Sequence, residues 1–204
     1  MSELPLFPQP PKYPIDPGFV VLGRFQPFHK GHSLMVQEAE KIRLEKYPDL
    51  KLIIAIGSSN QPESLRNPWS AAERSGMISS WLKNEAGFDA IIVAVPDIND
   101  PPNWVNHSEK YHGGPGVFFS SDKYSCDLYD DSDWTVIHTP LIQRENFEGW
   151  RVRETARMLS TILDKMAIDT VLGVSTPKSV IDYLVSNDYL KRLAFLGEGG
   201  EPVG

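Results

Sequence analysis

FVVLGRFQPFHKGH, residues 19–32, decides how the rest of the chain is read. Phe19 to Leu22 form an unbroken apolar run, the pattern of a strand buried on both faces. Gly23 and Gly31 let the backbone bend and approach a ligand closely, and Pro27 stiffens the turn between them. From about His32 the period lengthens: Met35, Ala39 and Ile42 recur at helical spacing among Gln37, Glu38, Glu40 and Lys41. A buried strand therefore passes through a glycine turn into a helix. At such a junction free backbone N–H groups and the helix dipole favour anions. His29 and His32, at i and i+3 around the helix start, can point the same way and donate hydrogen bonds to phosphate oxygens. Arg24 adds a fixed positive charge.

The alternation continues. Lys51–Ile56 reads as a second buried strand, and Ser70, with Glu73 three residues on, opens a helix running to about Leu82. Further strands are expected at residues 90–95, 116–119 and 134–138. A short helix is expected at Trp104, another within residues 120–131, a longer one over Val152–Met166, a short extended piece at Thr170–Leu172, and one or two helices over Pro177–Leu193, with Pro177 at a first helical position. Strands alternating with helices imply a parallel α/β sheet of about five strands, helices on both faces and a small C-terminal helical part.

Composition bounds the function. The chain has 204 residues, 41% hydrophobic and 23% charged, enough for one domain with a full core. Prolines at positions 5, 8, 10, 11, 14 and 17 mark residues 1–17 as an extended arm before a domain over 18–204. A net charge of -7 argues against nucleic acid or an anionic membrane as partner, so a phosphate-bearing ligand must meet a local basic pocket. No apolar run approaches a bilayer's span, and the N-terminus lacks the order of a secretion signal. A single cysteine, Cys126, rules out an intrachain disulfide framework and fits a reducing cytoplasm, where it reads as an inert thiol.

Metal ligation is the other chemistry open to a histidine pair, but zinc would want further ligands, and none lies at a familiar spacing. No metal site is expected from the protein's own side chains. His107, His112 and His138 belong to no constellation and read as structural or exposed, and Arg151 and Arg157 as decoration of a helix face.

The stretch Gly23–His32 resembles the H-x-G-H signature of the nucleotidylyltransferase superfamily, and its Gly-Arg-Phe-Gln-Pro lead-in resembles the archaeal nicotinamide mononucleotide adenylyltransferases. Residues 56–61, followed by Arg66-Asn67-Pro68-Trp69 and Ala72-Glu73-Arg74, are similar to that family's second block. Pro96-Asp97-Ile98-Asn99 with Trp104 is similar to its pyridine-nucleotide segment, Val117 to Asp122 to its Val-Tyr-Ser segment, and Arg144 with Val152-Arg153 to its last basic block. The likeness covers about residues 18–195. It implies a Rossmann-like nucleotidylyltransferase fold and transfer of AMP from ATP to nicotinamide mononucleotide, with magnesium accompanying the ATP and a homo-oligomer as the assembly. It further implies that His29, His32, Arg24 and Arg153 are catalytic, and that Phe25, Ser120 and Arg144 join them around ATP. Gly23, Phe25, Ser58, Asn60, Arg66, Asp97, Ile98, Asn99 and Trp104 would hold the mononucleotide, with Trp104 stacked on the cationic nicotinamide ring and Arg66 also near the triphosphate.

Two departures bear on this. Glu148-Gly149-Trp150 stands where the family has Ser-Gly-Thr, replacing two hydroxyls with a carboxylate and an indole. Either Arg144, Arg151 or a magnesium ion offsets that carboxylate, or ATP is held more weakly. Asp122 also replaces an asparagine. Adenylyl or cytidylyl transfer to another phosphate acceptor, and a silent nucleotide sensor, are the competing readings.

Overall fold

The computed structural model describes residues 5–140 and 147–196. Contacts divide the chain into two units, and the path crosses between them more than once. The first comprises Met1–Arg24, Leu34–Gln61 and Phe88–Ile142; the second comprises Phe25–Ser33, Pro62–Gly87 and Gln143–Gly204.

In the first unit the apolar runs pair as the pattern requires. Strands β1 (Gly18–Gly23), β2 (Lys51–Ile56), β3 (Ile91–Ala94), β4 (Val117–Ser120) and β5 (Thr135–His138) form one parallel sheet in the order β3-β2-β1-β4-β5. Val20 of β1 stands level with Ile53 on one side and Phe118 on the other, and all three are wholly buried. Such burial of a large apolar side chain contributes about 1.5–3 kcal/mol. Strand order reverses at β1, where β2 lies to one side and β4 to the other, and open sheets bind ligands at the carboxyl end of such a switch point. Helix α1 (Lys30–Lys46) starts in the second unit and continues into the first. Helices α3 (Trp104–His112) and α4 (Lys123–Asp130) complete the first unit. Tyr129 of α4 stacks on Phe118 with ring centroids 3.8 Å apart, and its hydroxyl bonds to His112 and Ser108. The arm, without helix or strand from Pro5 to Pro17, is tied down: Ile15 packs against this core, and the Ser59 hydroxyl donates to the Phe7 carbonyl at 3.1 Å.

In the second unit helix α2 (Ala71–Trp81) begins with the expected capping box, in which Ser70 and Glu73 satisfy each other's backbone N–H. One π-helical turn, Leu82–Ala86, follows and closes at Gly87 with φ 77°. Three further helices fill this unit: α5 (Gly149–Met158), α6 (Lys165–Leu172) and α7 (Lys178–Ser186). Arg192 pins the approach to α2 by pairing with Glu73 at 2.6 Å and with the Pro68 carbonyl at 3.0 Å.

The sequence misplaced two elements here. The single helix expected over Val152–Met166 stops at Met158, because Ser160 turns its hydroxyl onto the Arg157 carbonyl at 2.6 Å and Asp164 caps a new helix through the Met166 N–H. Thr170–Leu172, expected to be a short extended piece, lies inside α6, where Ile168 and Leu172 bury one face at i and i+4. Pro177 sits one residue earlier than expected, at the cap of α7. Among the described residues no helix is long and apolar enough to cross a membrane.

Candidate active site

In the second unit the two imidazoles meet. His29 is the residue from which α1 springs: its carbonyl accepts from the N–H groups of His32 and Ser33. Its own N–H donates to Nδ1 of His32 at 3.3 Å, so Nδ1 is an acceptor and the proton of a neutral ring sits on Nε2. The rings stack with centroids 3.7 Å apart and planes 23° from parallel. Phe25 closes on His32 edge-on at 4.9 Å, and Phe28 packs beside it. Burial pushes His29 down to about 4, helped by the Arg153 charge. Burial and then the neighbouring His29 hold His32 well below its ordinary value, against an opposing bond to the Pro27 backbone. At neutral pH both rings are therefore neutral at rest, and a bound anion would draw protons onto them.

Helix α5 supplies the rest. Gly149, its first residue, lies where an added Cβ would stand 3.7 Å from Nε2 of His29 and 3.5 Å from Nη1 of Arg153. Arg153 donates from that nitrogen to the Gln26 carbonyl at 2.7 Å. The Gln26 side chain grips Trp69 at both backbone atoms, donating to its carbonyl at 2.7 Å and accepting from its N–H at 3.2 Å. A stacked imidazole pair, a guanidinium and the first residue of a helix thus lie together, an arrangement suited to an anion. Gly31 has to be glycine, since a Cβ there would press on Phe147 and on the His29 ring. Nδ1 of His29 is buried without a hydrogen-bond partner among the described residues.

Glu148 precedes this helix start, yet its carboxylate accepts from Arg151 at 2.9 Å, and Arg151 lies over the Trp150 ring at 5.1 Å. The carboxylate that replaced a hydroxyl is thus charge-paired by its own neighbour.

The first unit holds a cavity of about 240 Å³ at the carboxyl end of the sheet, lined by Leu22 of β1, the 97–101 turn, Trp104 of α3, and Tyr124, Ser125 and Leu128 of α4. Asp97, Ile98, Asn99 and Trp104 line it together. Gly23, Ser58, Asn60, Arg66 and Ser120 lie outside that lining. Gly23 accepts the Gly57 N–H, and Ser58 holds a left-handed backbone at φ 52°. Asn60 spends its amide on the backbone of Asp97. Ser120 is buried and accepts the Asp122 N–H. Asp122 caps α4 through Ser125, a role that suits aspartate as well as asparagine. Arg66 is exposed in the Ser64–Asn67 turn of the second unit, Arg24 is half-buried where the first unit ends, and Phe25 is wholly buried with φ 51°. Arg144 lies outside the described residues.

Sequence reading missed Gln26, whose carbonyl holds Arg153, and the α4 face of Tyr124, Ser125 and Leu128, which no motif marks. His107 and His112 are structural, bonded to the Pro96 carbonyl and to Tyr129; His138 is exposed and Cys126 buried.

The cytidylyltransferase-like family matches residues 20–112. The nicotinamide-nucleotide adenylyltransferase of Thermoplasma acidophilum is 31% identical over 183 residues, 90% of this chain and 93% of the relative. The enzyme of the same name from Haloarcula marismortui is 31% identical over 191 residues, 89% of this chain and 93% of the relative. Among solved structures, a bifunctional NMN adenylyltransferase/ADP ribose pyrophosphatase from Francisella tularensis, complexed with AMP and a Mn ion, aligns with TM-score 0.52 at 21% identity. That likeness covers 92% of this chain and 58% of that one, and concerns the fold alone.

Proposed function

The chain belongs to the nicotinamide-nucleotide adenylyltransferase family, and from that premise we propose which of its residues move AMP from ATP to nicotinamide mononucleotide. The reaction is an adenylyl transfer forming NAD. An oxygen of the mononucleotide's 5′-phosphate attacks the α-phosphorus of ATP. A P–O bond forms there, the bond to the β-phosphate oxygen breaks, and pyrophosphate leaves with the electron pair. The attacking phosphate is ionised at neutral pH, so no general base is required, and the protein's work is to position two polyanions and offset their charge.

The triphosphate falls to His29, His32, the first N–H groups of α5 and Arg153, with Arg24, Arg66 and Arg144 adding charge and Phe25 and Ser120 lining the nucleotide. The His32 and His29 rings donate to phosphate oxygens as charge builds on them, and Arg153 receives the leaving side. The mononucleotide falls to Asp97, Ile98, Asn99 and Trp104, with Gly23, Ser58 and Phe25 as backbone support. Convergence of His29, Arg153 and Gly149 in one place carries this reading. The Glu148–Arg151 pair disfavours the silent-sensor alternative, because it removes the repulsion that motivated it.

A divalent ion, magnesium by choice, accompanies the triphosphate. Among the described residues no group of three His, Cys, Asp or Glu side chains is placed to hold one, and an ion brought in with the triphosphate would supply charge neutralisation on its phosphate oxygens. ATP and the mononucleotide are the partners proposed, with nucleic acid and membrane disfavoured by the -7 charge and the cytoplasm favoured by the lone thiol. Incubation of the purified protein with ATP, magnesium and nicotinamide mononucleotide tests this: NAD and pyrophosphate should appear in equal amounts, and binding of both substrates without turnover would refute it.

A further inference from the structure

The turn from Pro96 to Asn99 forms one wall of the first unit's cavity, and side chains from elsewhere hold it. Asn60 clasps Asp97 at two points: Nδ2 donates to the Asp97 carbonyl at 2.9 Å, and Oδ1 accepts the Asp97 N–H at 2.8 Å. This is the exchange a neighbouring strand would make, performed here by one side chain. Gln61, the next residue, donates to the Asp97 carboxylate at 2.8 Å and fixes the direction of that group. On the other side, buried His107 meets the Pro96 carbonyl through Nε2 at 2.9 Å. A carbonyl only accepts, so Nε2 carries the proton, and burial, the largest influence on this ring, keeps it neutral.

His107 also stands one helical turn from Trp104 on α3, with ring centroids 6.0 Å apart, and 5.2 Å from Tyr111. It therefore meets both walls, the turn through the Pro96 carbonyl and the indole in a tilted ring contact. Asn99 holds a left-handed backbone at φ 52°, a conformation that asparagine adopts more readily than most residues. The N–H and carbonyl of Asp97 are thus both engaged, and Asp97, Ile98 and Asn99 are the residues of the turn that line the cavity.

We propose that Asn60, Gln61 and His107 are positioning residues that hold the Pro96–Asn99 turn and Trp104 in a preformed shape for the nicotinamide mononucleotide. The proposal rests on the functional reading above, and it gives Asn60 a role other than the ligand contact expected from sequence.

The test uses the full chain with Asn60→Ala, His107→Phe and His107→Gln, and two readouts. One is hydrogen exchange of peptides covering residues 96–104 without ligand; the other is affinity for nicotinamide mononucleotide by calorimetry, with steady-state constants for both substrates. Asn60→Ala and His107→Phe should speed exchange in that segment and weaken mononucleotide binding about tenfold, leaving kcat at saturating mononucleotide and KM for ATP within about twofold. His107→Gln, whose amide can donate to the same carbonyl, should restore both readouts. Weaker mononucleotide binding with unchanged exchange would make Asn60 a direct contact and overturn the proposal. So would faster exchange with unchanged affinity, or an equal loss for ATP. If the parent protein makes no NAD, the functional reading fails on its own, while the exchange result still decides whether these residues hold the turn.

Discussion

The N–H of His29 donates to Nδ1 of His32, and the same two rings stack 3.7 Å apart, so the first turn of α1 fixes both imidazoles before any ligand arrives. Their low proton affinity is the cost of that enclosure. An anion among them, Arg153 and the start of α5 lowers the cost by charging the rings.

Titration of His29 by NMR in the free protein should give a value near 4. Inorganic tripolyphosphate should raise it toward or above the ordinary histidine range. A free value near 6.5 with no response to tripolyphosphate would remove the ring from the anion site.

Acid should destabilise the fold through the same chemistry. His29 and His112, each depressed by burial to about 4 in the folded chain, titrate at about 6.5 when unfolded. Above about pH 6.5 both states hold these rings neutral and they contribute nothing to the pH dependence; between about 6.5 and 4 only the unfolded state takes the protons, so stability falls as pH falls. The loss approaches ~3 kcal/mol for each ring by pH 4. His112→Phe should be less stable at neutral pH, where Tyr129 loses a partner, yet flatter in urea midpoint between pH 6.5 and 4.5. An unchanged slope would show that His112 is not buried neutral.

The cavity near Trp104 should prefer the amide. Among the described residues its lining carries the carboxylates of Asp97 and Asp100 and no lysine, arginine or histidine, so a nicotinate carboxylate would face repulsion that the carboxamide escapes. Nicotinamide mononucleotide should exceed nicotinate mononucleotide in kcat/KM by about tenfold or more. Equal values, or a preference for the acid, would place a cation where this lining has none.

Gly76→Ala tests the packing of α2 on α7. Alanine normally strengthens a helix interior by about 1 kcal/mol, but a Cβ at Gly76 would run into the Tyr183 ring. The clash should dominate, with a net loss of ~1–3 kcal/mol; a rise in Tm would show that Tyr183 can swing aside.

Legibility in the sequence followed the range of the forces involved. The inner strands β2, β1 and β4 could be read because strands buried on both faces need continuous apolar runs, the half-exposed edges β3 and β5 came from shorter apolar stretches, and Ser70 with Glu73 announced α2 because a capping box is local. His29, His32 and Arg153 were found through their motif, and the structure brings them together. The break between α5 and α6 was hidden, because Ser160 and Asp164 end and begin helices through bonds that only the folded turn displays. Asn60 looked like a ligand contact for the same reason: its partner, Asp97, lies 37 residues away. Gln26 was visible as part of a motif, but its grip on Trp69 spans 43 residues.

The central claim concerns the imidazole pair with its guanidinium, and its most direct test is the rate of NAD formation by the parent protein, His32→Ala and Arg153→Ala, measured alongside Tm. Each variant should keep a folded state within a few degrees of the parent while kcat falls by about a hundredfold or more. Turnover within about threefold of the parent in either variant would contradict the role of these groups in offsetting phosphate charge.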